Sequence, residues 1–297
     1  MLEDSRVTLL ASEETPAEIY PYRRVWRAVA IEIVAMVFMV MLIIIGTRFG
    51  FLRDVASRNW GLLLILVPLG AYLWFSVRGE QQAFEPREGL LTVTLFSALL
   101  ANGLGLPLVN GFFEPREWLA DAGFFSRLFG YSFTVGVTTE FLKYVAIRYT
   151  IWPKRIRTRI DGVAYSVAAS VGYATVLNGH LVFGNEPTVS AMGIRIAINF
   201  ISQLSFGVIM GYFMAEMALV PNRAPFFLAG GLFAGSLMQG AFVAFRGIAA
   251  GSGFRVASIN GLLLVIFFAL MVTLAINFLV ENAESRAADL AGVKRIR

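Results

Sequence analysis

Cysteine is absent from the 297 residues, and histidine occurs once, as His180. The first absence excludes disulfide scaffolds, thiol nucleophiles, zinc-thiolate sites and iron-sulfur clusters together. The second excludes a histidine-rich metal site. Charge is scarce too: 15% of the residues are Asp, Glu, Lys or Arg, against about 25% in an ordinary soluble domain. That deficit, with 57% AVILMFWYC, excludes a water-soluble globule. A disordered chain is excluded as well, because 26 Phe, 9 Tyr and 5 Trp amid so few charges do not stay solvated. The net charge of +5 raises nucleic acid as a partner. The basic residues, however, lie between apolar runs, where they read as membrane topology signals, so no nucleic-acid role follows.

What the chain does have is long apolar runs. Backbone groups in lipid must be satisfied within the segment, so a run of about 20 such residues reads as a spanning helix. Eight are predicted, from about Val25 to Gly46, Trp60 to Val77, Gly89 to Val109, Tyr131 to Trp152, Gly162 to Phe183, Ile194 to Leu219, Pro225 to Ala249 and Ala257 to Val280. The expected fold is all-α: a polytopic helical bundle of about eight transmembrane helices, multi-pass in the cell membrane with the lipid bilayer as its first partner. The first run is too long for a cleavable signal peptide and follows a polar arm, residues 1–22, carrying Asp4, Glu13, Glu14 and Glu18; it is expected to stay as an anchor. An even number of spans puts both termini on one side. The basic loop Lys154, Arg155, Arg157 and Arg159 assigns that side to the cytoplasm, N-in and C-in. Arg48, Arg53 and Arg58, after the first span, run against the bias.

The pentapeptide FEPRE occurs at Phe84 to Glu88 and again at Phe113 to Glu117. Proline early in a helix and acids in the first turn suit a helix N-terminus, so each copy is expected to start a helix. Beyond the second copy, Glu114 to Phe129 interleaves Trp118, Phe125 and Phe129 with Asp121 and Arg127, which predicts an interfacial amphipathic helix on the outer surface. Domain organisation follows: residues 1–22 form a cytoplasmic arm, 23–130 three spans plus the interfacial helix, 131–250 a polar-seamed core, and 251–297 the last span and a short cytoplasmic tail.

Ionisable and amide side chains at lipid depth are costly, so their clusters are the candidate site. The fourth span carries Thr139, Glu140 and Lys143; the last two are three apart on one face, and a salt bridge between them is the simplest structural role. The fifth span opens on Asp161, placed as a helix N-cap, and carries Asn178 and His180. The sixth has Asn199 and Gln203 one turn apart, then Gly207 and Gly211; the seventh has Gly231 and Gly235, then Gln239. Glycines four apart let another helix approach closely.

TEFLK at Thr139 to Lys143, DGVAY at Asp161 to Tyr165, GYATVLN at Gly172 to Asn178 and QLSFGVIMGY at Gln203 to Tyr212 together resemble the PrsW family of polytopic intramembrane proteases. The resemblance covers about residues 130 to 245, making 131–250 a PrsW-like core. It implies a Glu pair before the lysine, Glu-Asn at the end of the third motif, and a His at the head of the fourth and in the seventh span. This chain departs at each of these places, with Thr139 before Glu140, Leu177 before Asn178, and Gln203 and Gln239 at the two His positions. A glutamine amide is neither a useful base nor a good zinc ligand. His180 does not replace the lost imidazoles, because two residues past Asn178 it points about 200 degrees around the helix. Metal ligands and cofactors are therefore expected to be none.

Peptide hydrolysis needs an activated water, a proton acceptor and a stabilised oxyanion. Glu140 is the remaining candidate base and Lys143 its orienting charge, these two being the candidate catalytic residues. Thr139, Asn178, Asn199, Gln203 and Gln239 are the candidate substrate-binding residues. Two functional classes stay open. In the favoured one, a protease-like scaffold impaired in catalysis binds transmembrane segments of other proteins as an assembly partner or complex subunit. In the other, an active intramembrane protease uses Glu140. A transporter or channel is disfavoured, as no chain of charges and no inverted repeat is visible.

Overall fold

Apolar runs without water to bond their backbones fold as helices, and the computed structural model is helical throughout, with no strand among the described residues. These are residues 22–52, 57–80, 86–184, 188–220, 225–251 and 257–290. The acidic arm with Asp4, Glu13, Glu14 and Glu18, Phe84 and Glu85 of the first FEPRE copy, and the last residues of the tail lie outside them. Helix α1 is Tyr22–Arg48 and α2 is Ser57–Tyr72, the latter continued by a π-helical turn, Leu73–Val77. Helix α3, Leu90–Leu100, runs on through π-helical turns Ala101–Gly105 and Leu108–Phe113. Then follow α4, Pro115–Trp118, and α5, Phe124–Tyr131, which a π-helical turn, Ser132–Gly136, joins to α6, Val137–Thr150. The long helices α7, Arg159–Gly184, α8, Val189–Leu219, α9, Phe226–Gly251, and α10, Ala257–Leu290, complete the bundle.

Seven helices among the described residues are long and apolar enough to cross a membrane, one fewer than the eight expected. The missing segment is Tyr131 to Trp152. Residues 124–150 form continuous helix of crossing length, but Arg127, Glu140, Lys143 and Arg148 hold its mean hydropathy below that of the other seven. The shortfall is one of apolarity, and Glu140 and Lys143 of the candidate site are part of its cause.

Helices α7 and α8 form the centre: 83% and 89% of their most apolar windows are buried, against 28–33% in the other candidate spans. Small residues make this close contact feasible. A Cβ on Gly162 of α7 would lie 2.3 Å from Gly211 O of α8, and one on Gly211 would lie 2.5 Å from Gly162 O. On its other side α7 meets α3, where a Cβ on Gly172 would fall 2.0 Å from Thr94 O and Ser97 Oγ donates to Ala169 O at 2.7 Å. The outer helices present Phe38, Leu66, Leu95, Phe267 and Phe278 outward, 57–63% exposed, as a lipid-facing surface requires.

Three sequence expectations are corrected here. The interfacial helix is broken between Trp118 and Phe124: Arg127 donates to the carbonyls of Leu119 and Ala120, ending α4, and Leu119 turns inward. Trp118, Phe125 and Phe129 remain exposed. The N-cap of α7 is Thr158, not Asp161. Thr158 Oγ1 accepts from Asp161 N at 3.2 Å and Asp161 Oδ2 accepts from Thr158 N at 2.8 Å, a reciprocal capping box with Asp161 in the third helical position. Finally, the second FEPRE copy does open a helix, with Pro115 as its first residue, but the first does not. Its Pro86 and Arg87 precede α3, which starts at Leu90 behind Gly89. Arg87 instead turns inward, pairing with Glu80 and, at 2.6 Å, with Asp161.

Candidate functional site

The π-helical turn Ser132–Gly136 ends against α9, where a Cβ on Gly136 would lie 2.6 Å from Ser236 O. That contact seats the first turn of α6 deep in the bundle, and Thr139, Glu140 and Lys143 are each no more than 1% exposed. Lys143 Nζ donates to Glu140 Oε1 at 2.6 Å, to Gln203 Oε1 at 3.2 Å and to Gln203 O at 3.4 Å. An ammonium has three donors and no acceptor, so this cation is saturated. Glu140 Oε2 has no partner among the described residues.

Glycines shape the space around the pair. A Cβ on Gly207 would meet Ser170 Oγ at 2.1 Å and Lys143 Nζ at 3.2 Å; one on Gly235 would meet Glu140 Cγ at 3.3 Å. The two small-residue stripes thus bring α8 and α9 onto the ion pair.

The structure brings together part of the predicted set. Glu140, Lys143 and Gln203 form one bonded group. Asn178 and Asn199 form a second: Asn199 Nδ2 donates to Asn178 Oδ1 at 3.0 Å, and Asn178 Nδ2 to Ile196 O at 3.4 Å. Thr139 turns to α7, its hydroxyl 3.4 Å from Tyr173 OH. Gln239 is buried one turn beyond Gly235, its Oε1 without a partner among the described residues. His180 is exposed and lies 3.0 Å from Asn102 Oδ1.

Sequence reasoning passed over Tyr173, Ser170 and Ser236, the two serines buried with hydroxyls that lack partners among the described residues. Hydroxyls in apolar helices are common, so these gave no signal. It also passed over Glu32, fully buried in α1; there the signal was plain, a carboxylate within the first apolar run.

The family model for PrsW family intramembrane metalloproteases matches residues 85–275, well over half of the chain. The chain belongs to the PrsW family. Comparisons with curated proteins and with solved structures give no match. PrsW membership and the apolar helices together make this an integral membrane protein of peptidase-like fold.

A PrsW metalloprotease implies a metal, and the donors at the centre do not fit one. Among the described residues no three His, Asp or Glu side chains gather where an ion can be held. Glu140 is the carboxylate of the bonded group, and an ammonium sits 2.6 Å from it, where a second cation is repelled. The nearest amide oxygen, Gln203 Oε1, already accepts from that ammonium. Metal binding demands deprotonated ligands free to coordinate, so no step is derived through a metal here. What remains is a carboxylate with one oxygen tied and one open, a saturated cation, and buried amide and hydroxyl groups.

Proposed function

We propose that this PrsW-family protein is impaired in hydrolysis and binds transmembrane segments of other membrane proteins, as an assembly partner or a subunit of a larger complex in the cell membrane. The observation that carries this reading is the Glu140, Lys143 and Gln203 group, in which one carboxylate oxygen is tied to the lysine. A general base must be free to take a proton from water, and catalysis through such transfer contributes about 10²- to 10⁴-fold in rate. Here the carboxylate is engaged by a lysine whose own donors are all spent, and among the described residues that lysine is its one hydrogen-bond partner. Binding is supported by four buried polar atoms without partners among the described residues, Glu140 Oε2, Ser170 Oγ, Ser236 Oγ and Gln239 Oε1. Each such group costs about 1–3 kcal/mol. A polar side chain of an incoming segment that reached them would recover part of that cost.

The open oxygen of Glu140 favours one alternative, an active intramembrane protease with Glu140 as general base. Photo-crosslinking separates the two. A benzophenone amino acid in place of Phe233, 49% exposed on α9, is expected to capture a membrane segment of the same length in the wild-type background and in Glu140→Gln. Captured protein that is shortened in the first and intact in the second contradicts the binding reading.

A further inference from the structure

Away from Glu140, helices α1, α2, α3 and α7 line a cavity of about 340 Å³, at the lower end of the range for small-molecule sites, about 300–1,000 Å³. Its walls are largely aliphatic, with Val25, Val29, Leu90 and Val167 among them; Tyr72, Ser76, Glu80 and Arg27 supply the polar lining. Behind Ser76 lies Glu32, 0% exposed. Ser76 Oγ donates to Glu32 Oε1 at 2.7 Å, and Glu32 Oε2 has no partner among the described residues. Tyr72 is 1% exposed, with its hydroxyl beside Thr94.

The neighbouring carboxylate is different. Glu80 has both oxygens engaged by Arg87, one by the backbone N at 3.0 Å and one by the guanidinium. Glu32 has no cation paired with it among the described residues, and Arg27 is exposed in the cavity wall. With one oxygen bonded to Ser76 and the other without a partner among the described residues, Glu32 carries acceptor capacity that the fold leaves unspent. Glu32, Tyr72, Ser76 and Glu80 all precede residue 85, where the family match begins. The family's shared core therefore does not account for them.

We propose that this cavity binds a membrane-soluble primary amine, an apolar body carrying one ammonium group, with Glu32, Ser76 and Tyr72 around the ammonium. Three N–H donors on a compact cation suit a free carboxylate oxygen and a phenol oxygen at once. A quaternary ammonium offers no donor, and an alcohol offers one and no charge. The amine has two sources, a free long-chain amine or the ethanolamine headgroup of a phospholipid, whose phosphate Arg27 would meet.

The test uses the full-length protein in phosphatidylcholine nanodiscs, whose headgroup is quaternary, and a diazirine-bearing dodecylamine with the matching dodecanol as probes. The amine is expected to label α1 and α2 at least tenfold more than the alcohol, and Glu32→Gln is expected to remove that preference while Gly179→Ala, on α7 outside the cavity lining, leaves it. Ala28→Leu, which narrows the cavity while keeping the Glu32 carboxylate, is expected to abolish labelling and serves where Glu32→Gln does not fold. Replacing half the lipid with phosphatidylethanolamine distinguishes the sources: labelling falls if the headgroup is the occupant and is unchanged if a free amine is. Equal labelling by amine and alcohol, or a preference that survives both Glu32→Gln and Ala28→Leu, overturns the proposal.

Discussion

Lys143 and Glu140 define the chemistry available at the residue scale. Both are buried, they are one helical turn apart, and Gln203 accepts the remaining donors of the ammonium. Removing one partner of a buried pair leaves an uncompensated charge and costs about 3–5 kcal/mol, whereas replacing both by neutral groups of similar shape is often close to neutral. Lys143→Met alone is therefore expected to destabilise by about 3–5 kcal/mol, and the double variant Glu140→Gln with Lys143→Met by clearly less. Unfolding in mixed micelles measures both; a double variant as unstable as the sum of the singles refutes the pairing. The pair itself was legible in the sequence, because residues three apart share a helix face. Its third member was not, since Gln203 lies sixty residues away on another helix and only packing decides which amide reaches Nζ. For the same reason Asn178 and Asn199, counted with the site by their polarity, turn out to be bonded to each other.

Glycine placement governs the elements. Helix α7 carries glycines with opposite roles, and only the structure separates them: a Cβ on Gly172 would sit 2.0 Å from Thr94 O, whereas one on Gly179 would meet nothing within 4 Å. Gly172→Ala is expected to force α3 from α7 at a cost of about 1–3 kcal/mol. Gly179→Ala is expected to stabilise by about 0.5–1 kcal/mol through helix propensity alone. The same unfolding assay checks the pair, and equal effects of the two substitutions contradict the packing. The capping box at the start of α7 supplies another test. Thr158→Ala removes the side chain that accepts from Asp161 N and is expected to cost about 1 kcal/mol. The acid in this motif was recognised in the sequence; its position was misjudged by three residues because the Thr that caps and the Asp that reaches back are both good N-cap residues.

For the whole molecule, the apolar runs made the helical bundle legible, while the number of crossings hinges on residues 124–150. That segment has crossing length and carries the charges of the candidate site, so hydropathy alone undercounts it. If it crosses, both termini and the loop at Lys154 share one side. The chain has no cysteine, which makes single-cysteine labelling clean. Ser5→Cys, Lys154→Cys and Ala291→Cys are expected to react with a membrane-impermeant maleimide from the same side of sealed vesicles, and labelling of the two termini from opposite sides contradicts an even number of spans. The broken interfacial helix shows the limit of composition at this scale. An amphipathic pattern is indifferent to a break, and the break here is made by Arg127 bonding to two carbonyls.

On the proposed reading, a PrsW-family protein whose Glu140 is held by a saturated lysine does not hydrolyse peptides. The direct measurement is cleavage of a panel of membrane-spanning peptides by the purified full-length protein in detergent, run beside Glu140→Gln. The expected result is no product from the wild type above the Glu140→Gln background. Turnover by the wild type that Glu140→Gln abolishes contradicts it.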